Sequence, residues 1–297
     1  MNMQNTLSQK KTIKKKKYKL TLGQFSLDLE KRTHIMGILN VTPDSFYDGG
    51  KYFDTDKAYE RAMQMKDEGA DIIDIGGQSA RPGANPVSYE EEIDRVMPVI
   101  DKLVNKINIP LSIDTFNHKV SEEALKKGVK IVNDITGLKK DPMMASVIAK
   151  YDAAAIIMHI KGAPKDMQNN PRYDDLFREI IDYFCESINI AVNAGIPQDK
   201  LIIDPGIGFG KTVNHNLWII NNLKEFRILE KPIMIGVSRK SFIGKILNKE
   251  PEERIAGTLA ACAISIANGA NILRVHDVRE AVDVSKIIDA IARGYDL

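Results

Sequence analysis

The residues best able to do chemistry stand at the ends of short apolar runs. Asn40 follows the run 35–39, Asp114 follows 111–113, Asn133 and Asp134 follow 131–132, and Asp204 follows 201–203. Ser238-Arg239-Lys240 follow 233–237, while Arg274 and His276 mark the end of 272–275. Packing accounts for a polar side chain at one such end, but six of eight ends carry one. A single pocket that receives them all is the simpler reading. Carboxylate oxygens accept hydrogen bonds and an amide both donates and accepts. Asp114, Asn133 and Asp204 therefore suit a flat heterocycle with several ring N–H groups, a pterin or a purine. Lys240, Arg274, His276 and Arg81 supply positive charge and donors, which suits phosphate oxygens.

These groups need a scaffold that brings strand ends to one face. The apolar runs lie at 35–39, 72–75, 111–113, 131–132, 154–158, 201–203, 233–237 and 272–275. Segments with apolar residues at helical spacing separate them, over approximately 55–69, 89–105, 118–127, 141–150, 174–194, 213–229, 252–268 and 277–293. Continuous apolar strands imply burial on both faces, as in a parallel sheet covered by helices. Eight such units in 297 residues predict an α/β fold, a single-domain TIM (β/α)8 barrel whose strand-to-helix loops share the catalytic face. An open doubly wound sheet fits the same periodicity. Ahead of it, Tyr18-Lys-Leu-Thr-Leu22 and Phe25-Ser-Leu-Asp-Leu29 alternate around Gly23-Gln24 and predict a β-hairpin capping the bottom. The expected barrel domain is 18–297, preceded by a flexible basic arm over 1–17.

Hydrophobic residues make up 43% of the chain and charged residues 28%, a globular balance. The net charge of +2 comes mainly from Lys10, Lys11, Lys14 to Lys17 and Lys19, which read as a solvated terminus without a nucleic-acid or membrane partner. No apolar run approaches the roughly 18 residues of a bilayer span and the start has no targeting pattern, so a cytoplasmic location is expected. Cys185 and Cys262 lie far apart in helical stretches and read as reduced core residues. The stretch Asp204-Pro-Gly-Ile-Gly-Phe-Gly-Lys-Thr212 fails as a nucleotide phosphate loop, because Pro205 stands where the first glycine must be. Its glycines instead let backbone approach a bound ring. The five histidines form no His-x-His or His-Glu-x-x-His pair, so no dedicated zinc site is expected, and His34 and His215 read as structural. Mg²⁺ would arrive with a diphosphate that supplies most of its ligands. The Gly- and Pro-rich loops 41–50 and 76–86 read as lids ordered by substrate.

Seven stretches carry a resemblance to a known family. They are Gly37-Ile-Leu-Asn-Val-Thr-Pro-Asp-Ser-Phe46, Arg81-Pro-Gly83, Ser112-Ile-Asp-Thr115, Val132-Asn-Asp-Ile135, Asp204-Pro-Gly-Ile-Gly-Phe-Gly210, Ser238-Arg-Lys-Ser-Phe-Ile-Gly244 and Arg274-Val-His276. In this order, from about His34 to the C-terminus, the chain resembles the dihydropteroate synthases, pterin-binding TIM barrels of folate biosynthesis. The resemblance implies condensation of 6-hydroxymethyl-7,8-dihydropterin pyrophosphate with p-aminobenzoate, giving 7,8-dihydropteroate and pyrophosphate. It implies that Asp114, Asn133, Met158, Asp204 and Lys240 hold the pterin. Asn40, Arg81, Arg274 and His276 would hold the pyrophosphate, with Asn40 also a ligand of Mg²⁺. Asp44, Phe46 and Asp48, with Ser79, Arg81 and Pro82, would close over the reaction. Phe46, Ser79, Ala80, Pro82, Phe209 and Ser241 would border p-aminobenzoate, and Lys240, Arg274, His276, Asp48 and Arg81 would do the catalytic work. A homodimer is also implied.

Two positions depart from the family pattern, Gln78 in place of an acid and Ala80 in place of a threonine. Both bear on how the second loop meets p-aminobenzoate and the sulfonamides that mimic it. Two rival readings share the pterin-binding barrel. A methyltetrahydrofolate:corrinoid methyltransferase has no need of Ser238-Arg239-Lys240-Ser241 or of the cationic end at Arg274 and His276. A binding protein without activity has no need to keep Asn40, Asp114, Asp204, Lys240, Arg274 and His276 together.

Overall fold

The structure, a computed structural model, describes residues 18–42, 55–78, 87–163 and 166–294. It begins with an antiparallel hairpin, β1 (Lys19–Leu22) and β2 (Phe25–Asp28), with Leu20 opposite Leu27. Gly23 at φ 62° makes the turn, in the left-handed region that glycine enters without a Cβ penalty.

Eight parallel strands follow: β3 (His34–Asn40), β4 (Ile72–Gly76), β5 (Leu111–Asp114), β6 (Ile131–Asp134), β7 (Ala154–Met158), β8 (Leu201–Asp204), β9 (Met234–Ile235) and β10 (Ile272–Val275). Their order is β8-β7-β6-β5-β4-β3-β10-β9. A parallel bridge from Ile203 to Ile233, with Ile203 N–H donating to Pro232 O at 3.0 Å, joins the two ends into a barrel. The expected TIM barrel and its N-terminal hairpin are both present. Helices α1 (Thr55–Asp67), α2 (Tyr89–Leu103), α3 (His118–Lys127), α4 (Met144–Lys150), α5 (Leu176–Asn193), α6 (Val213–Asn221), α7 (Ser241–Leu247), α8 (Ile255–Ala267) and α9 (Val278–Arg293) are the α-helices among the described residues. None is long and apolar enough to cross a membrane.

Strand alternation sorts side chains between two cores. Outward residues such as Ile35, Ile73, Ile113, Val132, Ile157, Ile203 and Leu273 pack under the helices. Inward residues Met36, Ile72, Ile131, Ala154, Ile156, Ile202, Met234 and Ile272 form a lower interior core with Leu20, Leu22 and Leu29, so the hairpin plugs the barrel from below. The apolar filling stops there. Further along β4, β5, β6, β8 and β10 the inward positions become Asp74, Asp114, Asn133, Asp204 and Arg274, and the barrel opens on charge and amide instead of hydrocarbon.

Three expectations need correction. The helix foreseen over 213–229 is α6 followed by a 3-10 turn, Leu223–Leu229, because the chain leaves helical geometry at Asn222 (φ −124°). Ser241–Leu247, which lies outside the expected helices, is helix α7, and α8, expected from 252, begins at Ile255 after a 3-10 turn, Pro251–Glu253. Cys262 is buried as foreseen, but Cys185 is exposed on α5, on the opposite face from buried Ile180, Phe184 and Ser187.

Candidate active site

The floor of the site is an ionic cluster. Arg274 Nε donates to Asp74 Oδ2 at 2.6 Å and its Nη2 donates to Asp114 Oδ2 at 2.6 Å. Asn133 Nδ2 donates to the same Asp74 oxygen at 3.0 Å. Strand register explains the convergence: Asp74 lies beside Ile38 and Ser112, and Asp114 lies beside Gly76 and Asn133, all at inward parity. The Arg274 guanidinium is therefore set down among the acids, because Arg274 belongs to the strand and not to the loop after it. Burial opposes its charge, but Asp74 and Asp114 outweigh that and hold its pKa above the ordinary guanidinium value. Burial pushes the Asp114 carboxyl up to about 7 against the pull of Arg274, with Asp74 and Glu92 adding repulsion. Asp74 Oδ1 and Asn133 Oδ1 are buried without a hydrogen-bond partner. Buried acceptors of this kind need donors, and ring N–H groups are donors of the right sort.

One wall is the loop after β8. Asp204, 5% exposed, accepts from Gly206 N–H at 2.7 Å. Burial raises its pKa while Lys240 and the Gly206 N–H oppose the rise. Gly206 has φ 68°, and a Cβ there would collide with the His159 carbonyl oxygen, so only glycine lets the two backbones touch. Lys240 Nζ donates to Ile207 O and lies 4.7 Å above the centre of the Phe209 ring. Burial pulls its pKa down to about 8 while Asp204 and Asp114 resist. Gly236 keeps the space between the cations open: a Cβ there would be 3.8 Å from Lys240 Nζ and 3.9 Å from Arg274 Cβ. Met158 is buried beside Asp204 in register.

The rim lies where β9 and β10 end. Ser238 Oγ is 2.9 Å from His276 Nδ1 and accepts from His276 N–H at 3.2 Å, which ties the two loops together. Arg61 Nη2 holds the His276 carbonyl at 2.9 Å. Arg239, at φ 55°, turns to a two-point pair with Asp277 at 2.9 and 2.5 Å. Across the opening, a Cβ on Gly76 would be 3.7 Å from Asp114 Oδ2 and 3.9 Å from Asn40 Oδ1, which places Asn40 above the ionic floor. Ser241 is the exposed first residue of α7. Asp134 does not join the site. Its carboxylate accepts from Thr136 N–H and Oγ1 at 2.7 Å and from Leu138 N–H at 3.0 Å, because alternation sends Asn133 inward and its neighbour outward. Asp44, Phe46, Asp48, Ser79, Ala80, Arg81 and Pro82 lie outside the described residues.

Four buried polar residues at or near the site were not foreseen. Asp74 is hidden in the apolar run of β4, where its inward parity was the signal. Glu92, 1% exposed, accepts from Gln78 Nε2 at 3.3 Å, and burial pushes its carboxyl up to about 7. Lys211 and His159 meet under the glycine loop, with Nζ 2.8 Å from Nδ1. Among the described residues no cluster of three or more His, Cys, Asp or Glu side chains can hold a metal ion. Surface hollows between α1 and α9, lined by Tyr59, Met63 and Arg279, and beneath the hairpin at Tyr18 and Gln198, hold no comparable convergence.

The chain is also similar to known proteins. The family described as "Pterin binding enzyme" matches residues 36–276. A dihydropteroate synthase of Synechocystis sp. is 46% identical over 275 residues, covering 92% of this chain and 95% of its own length. Among solved structures, dihydropteroate synthase from Clostridium difficile, determined in the presence of pteroic acid, superposes with a TM-score of 0.85 at 49% identity, covering 90% of this chain and 99% of that one. The Xanthomonas albilineans enzyme with 4-aminobenzoic acid gives 0.87 at 39% identity, covering 94% and 99%. With the ionic floor, the glycine wall and the family match over the same residues, the chain belongs to the pterin-binding enzymes, in their dihydropteroate synthase branch.

Proposed function

We propose that this chain condenses 6-hydroxymethyl-7,8-dihydropterin pyrophosphate with p-aminobenzoate to give 7,8-dihydropteroate and pyrophosphate. The observation that carries the reading is the interleaving of Asp74–Arg274–Asp114 with Asp204–Lys240 at the carboxyl end of the barrel. Acceptors at Asp114, Asn133 and Asp204 meet the ring N–H groups, Met158 packs on the ring, and Lys240 donates to it. Asn40, Arg274 and His276, with Arg81 from the second loop, meet the diphosphate.

The C–O bond at the pterin methylene breaks, the electron pair leaves with pyrophosphate, and the methylene is left cationic. Fixed cations that face the departing charge lower this barrier without rearranging during the step. The aniline nitrogen then forms the C–N bond and releases a proton. It attacks as a neutral amine, so no strong base is needed. Phe209, Lys240 and Ser241, with the first and second loops, border the amine and keep water from the cation. Mg²⁺ bound to the diphosphate would neutralise leaving-group charge, with Asn40 Oδ1 as its protein ligand. A hard cation takes oxygen donors, and a lone amide oxygen near a diphosphate fits that need.

Two further parts of the reading concern assembly and place. Exposed Leu217 and Trp218 on α6, Ile246 and Leu247 on α7 and Ile264 on α8 support a homodimer through these helices. Free thiols at Cys185 and Cys262 support a cytoplasmic location. Sedimentation of the purified chain tests the first: a 66 kDa species, twice the mass of one chain, supports it and a 33 kDa species sinks it. Pyrophosphate release with and without p-aminobenzoate tests the activity. Release that requires the amine supports it, and release indifferent to the amine refutes it.

A further inference from the structure

Lys211 closes the glycine loop after β8, and no step described above uses it. Its side chain is 2% exposed, against His159 and the Phe209 carbonyl. Its amine is met by two neutral acceptors, His159 Nδ1 at 2.8 Å and Phe209 O at 3.1 Å. From this geometry we infer that Lys211 is a positioning residue for the amine substrate, acting through Phe209. This rests on the reading that the Phe209 ring borders the p-aminobenzoate position.

The anchor beneath Lys211 is rigid. His159 donates its own N–H to Asp204 O at 2.9 Å, and its ring stands edge-on to Tyr183 at 4.7 Å with an interplanar angle of 70°. Tyr173, 6.2 Å from the same ring, donates its hydroxyl to Gly210 O at 2.8 Å. Burial and the neighbouring Lys211 push His159 down to about 2, so its ring is neutral and Nδ1 accepts. Burial likewise drives Lys211 well below the ordinary amine range, with Asp204 opposing. The amine donates to both of these acceptors, which hold it in place.

Removing the amine leaves His159 Nδ1 and Phe209 O as buried acceptors without a donor, which costs stability in itself, so the positioning role is read from kinetics. What a methionine cannot do is hold the Phe209 carbonyl. Phe209 is fixed through both of its backbone groups, its N–H on Gly206 O at 3.1 Å and its carbonyl on Lys211, and its ring lies under Lys240. With the carbonyl freed, the residue is expected to turn and take the ring out of place. The pterin contacts at Asp204, Asn133 and Asp114 depend on other bonds and stay.

The test compares wild type, Lys211→Met, Phe209→Leu and the double variant in steady-state kinetics with both substrates varied. Lys211→Met is expected to raise KM for p-aminobenzoate about tenfold and to leave KM for the pterin pyrophosphate within about twofold. In the Phe209→Leu background it should add little, since a residue that acts through Phe209 has nothing left to position. An equal rise in both KM values, an additive double variant or unchanged KM values would each overturn the inference. If Lys211→Met does not fold, His159→Phe removes the amine's other partner, keeps a ring against Tyr183, and is judged by the same outcomes. A wild-type protein that forms no dihydropteroate would instead refute the proposed function, and that result is read before any variant.

Discussion

Replacing Arg274 with methionine strikes the centre of the site, because it keeps much of the side chain's bulk and removes only the guanidinium. Arg274 makes two contacts of 2.6 Å, to Asp74 and Asp114, and Asp74 is fully buried. A hydrogen bond to a charged group contributes about 1.5–3 kcal/mol. Removing one side of a buried ion pair costs on the order of 3–5 kcal/mol, since the other charge is stranded. Two carboxylates that lose one shared cation place the expected loss near the top of that range, about 4–5 kcal/mol at pH 8.5. The pH dependence identifies the cause. Burial already pushes Asp114 from an ordinary 3.8 up to about 7 with Arg274 in place, and without Arg274 it rises further. A carboxyl whose folded pKa exceeds its unfolded one takes up a proton on folding, so its stability contribution is complete below the unfolded value and is lost as pH rises through the folded value. In wild type this loss levels off just above the folded value of about 7, whereas the variant, with a higher folded value, goes on losing about 1.4 kcal/mol per pH unit above it. Urea unfolding of both proteins at pH 6 and pH 8.5 measures the gap. A gap that widens with pH is expected; a loss under about 1 kcal/mol, or an equal loss at both pH values, would refute the electrostatic account.

Other outcomes follow from the same geometry. Lys240→Ala should lower kcat/KM at least about tenfold, or 1.4 kcal/mol of transition-state stabilisation, in steady-state assays. With its pKa near 7, Asp114 is protonated and a poorer acceptor at low pH, so pterin affinity measured by calorimetry should fall towards tenfold per unit below pH 7, and Asp114→Asn should flatten that slope. Gly206→Ala forces a Cβ onto the His159 carbonyl at φ 68° and should cost at least about 2 kcal/mol in chemical denaturation. Asn40→Ala should raise the Mg²⁺ concentration needed for half-maximal turnover, and an unchanged requirement would remove Asn40 as a ligand.

Much of this was legible in the residues. Parallel strands buried on both faces leave uninterrupted apolar runs, so all eight barrel strands could be found, and polar residues at their ends named Asn40, Asp114, Asn133, Asp204, Lys240, Arg274 and His276. What escaped depends on direction and on distance in sequence. Asp74 sits inside an apolar run, and only its parity with Asp114 across β4 and β5 reveals that it faces the same interior. Parity would also have separated Asn133 from Asp134, whose carboxylate caps its own loop. The place of Arg274 within β10 sets it against two acids, a pairing across 200 and 160 residues that no local pattern encodes. Lys211 and His159 are 52 residues apart and meet only because β7 and β8 are neighbours. Helix α7 is only seven residues long and has no side-chain cap, so the apolar spacing of Phe242, Ile243, Ile246 and Leu247 runs on directly from the polar Ser238-Arg239-Lys240 without a start signal.

The most direct measurement is a single-turnover mixture of the purified chain, Mg²⁺, the pterin pyrophosphate and p-aminobenzoate, in which pyrophosphate and dihydropteroate are counted together. Equal amounts of both, formed only when the amine is present and lost in Lys240→Ala, are predicted. Pyrophosphate without the coupled product, or equal turnover by Lys240→Ala, would contradict the account.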